Sequence, residues 1–282
     1  MDALTLLRLQ LEWGADEALE EMPVARAPAR PARAAQAAAP AQAAAAPAAT
    51  QAARQAARGI ATVPRAIGLV GTEAAAAQAA AAAGAAAGIA ALHDTVAAFA
   101  GCALRATATH TVFAEGDPAP GLLIVGGPPG EDEDRSGRPF SGAAGAYLEK
   151  MLGSIGIERG QALLTPLIPW RPPGGRPPSA PEIAVCLPFL HRLIVLATPR
   201  RMVLLGPLAA RALLGTAPRM RTPEWRDAEL PGRAAPLPAL VLPDLDALRK
   251  APAGRREAWA ALRLLRRSLD EDLTKLCVSA PA

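Results

Sequence analysis

Apolar residues recur along this chain in two different rhythms. Near the start, Leu4, Leu7, Leu11 and Leu19 fall at helical spacing, which predicts an amphipathic helix over Met1–Glu21. Beyond about Ala85, short continuous apolar runs at Leu122–Val125, Ala162–Ile168, Met202–Leu205 and Pro238–Leu242 read as strands. Helical patterns at about Ala143–Ile155, Pro181–Ala197, Leu208–Leu214 and Gly254–Leu269, or long loops, separate them. Such alternation predicts a three-layer α/β/α domain with a mostly parallel, four-stranded central sheet. Ligands of these sheets bind outside the carboxyl ends of the strands, and Gly126–Gly130 follows the first strand directly.

Between the two rhythms, from Met22 to about Gly84, the chain is almost wholly Ala, Pro, Gln and Arg. Such a stretch buries too little apolar surface to offset its ordering entropy, so a linker is expected over residues 22–84, between a helix at 1–21 and a domain at 85–282. The alanine run from Glu73 to Leu92 has the length of a membrane span, but alanine is weakly apolar and Gln78, Gly84 and Gly88 interrupt it, so no membrane contact is expected. Met1-Asp2-Ala3 opens no secretory signal, which predicts a cytoplasmic protein, nucleoid-associated if it binds DNA. Cys102, Cys186 and Cys277 are too few and too scattered for a disulfide framework, in keeping with a reducing compartment. A net charge of +4 permits nucleic-acid contact without requiring it.

The densest chemistry lies in Leu122–Gly145, LLIVGGPPGEDEDRSGRPFSGAAG, where a strand runs into a Gly/Pro turn, an acid run and an Arg-Pro-Phe-x-Gly turn that opens a helix. A phosphate-cradling loop fits poorly. No Lys-Ser/Thr follows the glycines, no GxGxxG occurs, and Glu131, Asp132, Glu133 and Asp134 would repel a phosphate, although they also suit a solvated, helix-capping cluster. Glycines that admit close backbone approach and a phenylalanine that offers a flat face suit a nucleobase instead. Spacing alone leaves a base pocket and an ordinary surface loop both open.

From Gly126 to Gly142 the run resembles the first active-site motif of the family-four uracil-DNA glycosylases, GEAPGxxEDxxGxPFxG. A second block is similar to another family run: Ile168-Pro169-Trp170-Arg171-Pro172-Pro173-Gly174-Gly175-Arg176, then Glu182 and Cys186-Leu187-Pro188-Phe189. Further matches at Cys102–Leu104, Thr109–Gly116, Val203–Gly206 and Ala209–Gly215 extend the resemblance over roughly Ala98–Gly215, with a weaker echo at Arg255–Leu269. The resemblance implies a uracil-DNA-glycosylase-like fold and, in its intact members, removal of uracil from DNA by flipping the nucleotide out of the stack. Carried over, Phe140 would stack on the base while Gly126, Gly127, Pro129 and Gly130 shape the turn beside it. Arg135, Arg138, Arg171 and Arg176 would contact phosphates; read singly, each also suits a solvated surface, and Phe140 also suits a core aromatic.

The departures fall on the chemistry. Gly127 stands where the family has glutamate, Pro166 where it has the asparagine that reads the uracil edge, and Leu242-Pro243-Asp244 where its late His-Pro motif should follow the last strand. His93, His110 and His191 lie elsewhere in the sequence, which leaves Glu133 and Asp244 as the acids able to take over a catalytic role. The family's four-iron cluster would need four cysteines; Cys102 and Cys186 hold two positions while Phe99 and Trp170 occupy the others, so no cofactor is expected. The expected function is a DNA-associated homologue, binding single-stranded or uracil-containing DNA, with base excision lost or strongly reduced. The alternatives are an active glycosylase with a rewired pocket and a non-catalytic module that docks a protein partner through Met1–Glu21.

Overall fold

Strands buried on both faces are apolar except where a polar group is paired, and Leu122–Gly126 (β1) and Arg201–Leu205 (β3) run without exposed residues, the Arg201 guanidinium donating to Ser268. The computed structural model describes residues 67–215, 223–251 and 254–279, so the helix expected over Met1–Glu21 lies outside the described residues. With Leu163–Pro166 (β2), Trp225–Ala228 (β4) and Leu237–Leu242 (β5) the strands form one sheet of order β2-β1-β3-β5-β4. Its first four members are parallel, with Gly126 paired to Pro166 and Leu205 to Leu242. The fifth, β4, pairs antiparallel to β5 and was absent from the four-stranded expectation. It is a partly exposed edge strand reading Trp-Arg-Asp-Ala, and a polar run of that kind carries no apolar signal.

Alternation along the strands divides the core. Leu123, Val125, Met202, Leu204 and Ala239 pack with Ile67–Ala85 (α1), Ile89–Ala98 (α2), Ala180–Ala197 (α5) and Gly206–Leu214 (α6). Leu122, Ile124, Leu164, Val203, Leu240 and Leu242 face Gly142–Ser154 (α4), Leu245–Lys250 (α7) and Arg255–Ser279 (α8). A short helix, Glu131–Ser136 (α3), lies between β1 and α4. The linker expectation fails over its last stretch: α1 begins at Ile67, and Ala79, Ala83 and Ala86 are buried in the core. Alanine is weakly apolar but is the best helix former and allows close approach, and Arg192 of α5 donates to the Ala86 carbonyl from Nε and a terminal nitrogen, at 3.2 and 2.6 Å. Helix α5 is apolar and long enough to cross a membrane, yet Val185, Cys186, Phe189, Leu193 and Ile194 are core residues.

Under the sheet, Trp170 is buried and its Nε1 donates to Thr111 Oγ1 at 3.2 Å, while Phe99 meets Phe189 edge-on at 5.1 Å. Cys102 and Cys186 are buried free thiols hydrogen-bonded to each other. That bond lowers Cys102 to about 7, and donating it, together with burial, pushes Cys186 up.

The turn leading into α5 is closed by a reciprocal cap. Ser179 Oγ accepts from the Glu182 amide at 3.4 Å, and Glu182 accepts from Ser179 N at 2.7 Å and from Arg176 at 2.5 Å. Arg176 first, then Ser179, holds the Glu182 carboxyl down at about 2 from an ordinary 4.5. A depressed carboxyl stabilises the fold fully above its unfolded value and loses that contribution as pH falls through the folded one. Urea midpoints of wild type and Glu182→Gln should therefore differ most above pH 4.5 and converge as pH falls toward 2. A gap independent of pH across that window would remove the ion-paired cap from this account.

Candidate active site

The carboxyl ends of four strands converge on one cavity of ≈550 Å³, within the range of small-ligand sites. Gly126 closes β1, Pro166 closes β2, Leu205 closes β3, and Asp244 lies just past β5; the Gly127–Glu133 turn, Phe140 and Gly175 complete the wall. Of the residues singled out in the sequence, Gly126, Gly127, Pro129, Gly130, Glu133, Phe140, Pro166, Arg135 and Asp244 lie together in the lining.

Leu242 is a correction. It is buried among the α4, α7 and α8 side chains and does not reach the cavity, whereas its register partner Leu205, in the same cluster, does. Asp244, two residues on and beyond the strand, lines the cavity instead. Its Oδ1 accepts from the amides of Asp246 and Ala247, at 3.0 and 3.2 Å, so this carboxylate caps α7.

Phe140 has a left-handed backbone, φ 51°, and its ring edge is turned against Gly126, where an added Cβ would stand 2.6 Å from Cζ. Only glycine allows that approach. At Gly127 the opposite holds: an added Cβ meets no atom within 4 Å, so the missing glutamate leaves open space rather than a filled wall. Pro166 offers neither a side-chain donor nor an N–H, and the Leu167 amide beside it is directed to the carbonyls of Gly126 and Gly127 at 3.1 and 3.2 Å.

Charge in the lining is one-sided. Glu131, Asp132, Glu133, Asp244 and Asp246 face Arg135 and Arg249, and both arginines are engaged, Arg135 with Glu131 and Asp132 and Arg249 with Asp246. Burial, opposed by the amide bond from Gly130 at 3.0 Å and supported by Asp132 and Asp246, pushes the Glu133 carboxyl up.

The expected phosphate arginines are largely occupied. Arg138 is bound to Glu115 at 2.6 Å and Arg176 to Glu182. Arg171 differs, with a buried Nε that makes no hydrogen bond. Among the described residues no histidine lines the cavity: His93 pairs with Asp94, His110 Nδ1 meets the Asp134 carbonyl at 2.8 Å, and burial lowers His191 within α5.

A four-iron cluster does not fit the donors present. Two of its positions are rings, and the void beside Cys186 holds ≈10 Å³, room for about one water. Among the described residues no group of three or more His, Cys, Asp or Glu could hold a metal.

Sequence reasoning missed Arg159, which supports the Phe140 turn from a position with no local motif, and gave no role to Glu115, although it lies in the matched run Thr109–Gly116. Only spatial convergence could have found them.

The sequence model of the Uracil DNA glycosylase superfamily matches residues 113–263, more than half of the chain. The Type-4 uracil-DNA glycosylase of Pyrobaculum aerophilum is 39% identical over 123 residues, which cover 44% of this chain and 63% of that protein. That of Sulfurisphaera tokodaii is 43% identical over 106 residues, 37% of this chain and 48% of the relative, and that of Archaeoglobus fulgidus 39% over 110 residues, 39% and 55%. The matched region thus spans about half to under two thirds of these relatives. With the strand-end cavity, the Phe140–Gly126 contact and these matches together, the chain belongs to the uracil DNA glycosylase superfamily, alongside its type-4 members.

Proposed function

We propose that this protein receives a base of single-stranded or uracil-containing DNA in the cavity but releases uracil at a strongly reduced rate or not at all. The observation that carries this reading is an aromatic ring, Phe140 against Gly126, in a cavity lining that has Gly127, Pro166 and Asp244 where groups acting on a base would be needed.

Cleavage of the N-glycosidic bond leaves negative charge on the departing uracil, and donors aimed at that charge lower the barrier. Losing one such donor slows an enzyme by about 10²–10³. Here the five carboxylates of the lining would raise the energy of the same anion, and its two arginines are already paired. Pro166 offers the uracil edge no donor, so stacking and shape supply most of the remaining affinity. Arg171 is the best remaining candidate for a phosphate contact, since Arg135, Arg138 and Arg176 are held by carboxylates.

A second reading, an active enzyme with a rewired pocket, is favoured by one observation: Glu133 lines the wall and burial pushes its carboxyl up, toward a proton donor. The cap role of Asp244 argues against its use as a mobile acid.

Wild type should release no measurable uracil from single-stranded DNA under conditions in which type-4 relatives do. The triple change Gly127→Glu, Pro166→Asn and Asp244→His should gain detectable release: the first side chain enters open space, the second restores an edge-reading amide, and the third places a donor in the cavity. Asp244→His costs about 1 kcal/mol of helix capping, so the variant is assayed well below its melting temperature. Robust release by wild type, abolished by Glu133→Gln, would overturn the proposal in favour of the rewired enzyme.

The same reading extends to the cofactor. Purified under anaerobic conditions, the protein should be colourless, with far less than one cluster of iron and acid-labile sulfide per chain. Stoichiometric iron with a visible charge-transfer band would refute it.

A further inference from the structure

Phe140 holds a backbone conformation that L-residues disfavour, on a turn with no regular secondary structure of its own, so something must fix it there. The guanidinium of Arg159 reaches that turn from the segment before β2. It donates to the Pro139 carbonyl at 2.7 Å and to the Phe140 carbonyl at 3.1 Å. Its other contacts are carboxylates: Glu149 at 3.0 Å, and the two oxygens of Glu115 at 3.3 and 3.4 Å. Five N–H groups thus meet five acceptors, a pattern that the fork of arginine can satisfy and the point charge of lysine cannot.

Glu115 is itself fixed. Its amide and carbonyl pair with Leu164 of β2, at 2.9 and 2.7 Å, and its carboxylate also accepts from Arg138, which with Arg159 holds it below the ordinary carboxylate range. The chain of contacts therefore runs from β2 through Glu115 and Arg159 to the two carbonyls that flank the Phe140 peptide. Arg159 is half-buried and does not line the cavity.

We propose that Arg159 is the positioning residue of the aromatic wall, holding the Pro139–Phe140 turn so that the Phe140 ring stays against Gly126 in the cavity lining, where a bound base would meet it. The proposal rests on the reading of the cavity as a base site, but its primary test does not need DNA. The protein has four phenylalanines, and Phe99, Phe113 and Phe189 sit in or against the core on the other face of the sheet from Phe140. Full-length protein labelled with 4-fluorophenylalanine gives one fluorine resonance for each, the Phe140 line being assigned by its loss in Phe140→Leu.

In Arg159→Ala and in Arg159→Lys the Phe140 resonance should shift or broaden while the other three stay in place. Methylguanidinium added to Arg159→Ala should move the line back. Affinity for single-stranded uracil-containing DNA should fall by roughly tenfold in both variants, the scale of losing one or two hydrogen bonds. A Phe140 line that does not move would overturn the proposal. So would collapse of all four lines in Arg159→Lys, which would assign Arg159 to the whole fold instead of to this wall. Absence of uracil-DNA binding by wild type, with the selective fluorine shift intact, would count against the base-site reading alone.

Discussion

A parallel strand flanked by strands on both sides and by helices above and below can carry polar chemistry only where its backbone leaves the apolar layers, and in this chain β1, β2, β3 and β5 leave them side by side. Leu122–Val125 and Arg201–Leu205 are wholly buried because both faces of the sheet are covered. The register then fixes what stands at the exits: Gly126 against Pro166, and Leu205 against Leu242 with Asp244 just beyond. Everything that distinguishes this protein chemically follows from which residues occupy those few positions.

The cavity keeps its shape because its shape depends on packing and backbone geometry. Phe140 needs a neighbour without a side chain and finds Gly126; the Gly127–Gly130 turn needs space and has it. The chemistry depends on single side chains, and those can change without disturbing the scaffold. Gly127 leaves a void that the sheet does not notice, and Pro166 sits at a strand end whose partner bonds are made by Leu167 instead. The same separation holds beneath the sheet, where Trp170 bonded to Thr111 and the Phe99–Phe189 pair fill the space around two remaining thiols with ordinary core packing.

Much of this was legible in the residues. The four parallel strands were, because full burial demands uninterrupted apolar runs; so was the cavity wall from Gly126 to Phe140, because a close turn and a flat ring need particular residue types. The edge strand Trp225–Ala228 was not, since a half-exposed strand carries no such run. Helix α1 was hidden for the opposite reason: a run of alanines looks like weakly packed linker until a neighbouring surface is available for it to approach closely. Leu242 is the last residue of its strand and still in the core, and a shift of two residues past the strand end moves the role to a side chain of the opposite character. Arg159 carries no local signature, and the matched run around Glu115 gives it no role, because their meaning lies in where three distant segments meet.

The central claim is that the cavity still takes up a base while lacking the means to release it. A single strand with 2-aminopurine beside uracil reports both parts, since unstacking of the neighbour raises its fluorescence and the mass of the recovered strand records base loss. The account predicts a rise on adding wild-type protein that Phe140→Ala removes, with the strand recovered at unchanged mass. A mass loss equal to one uracil, or a rise indifferent to Phe140, would contradict it.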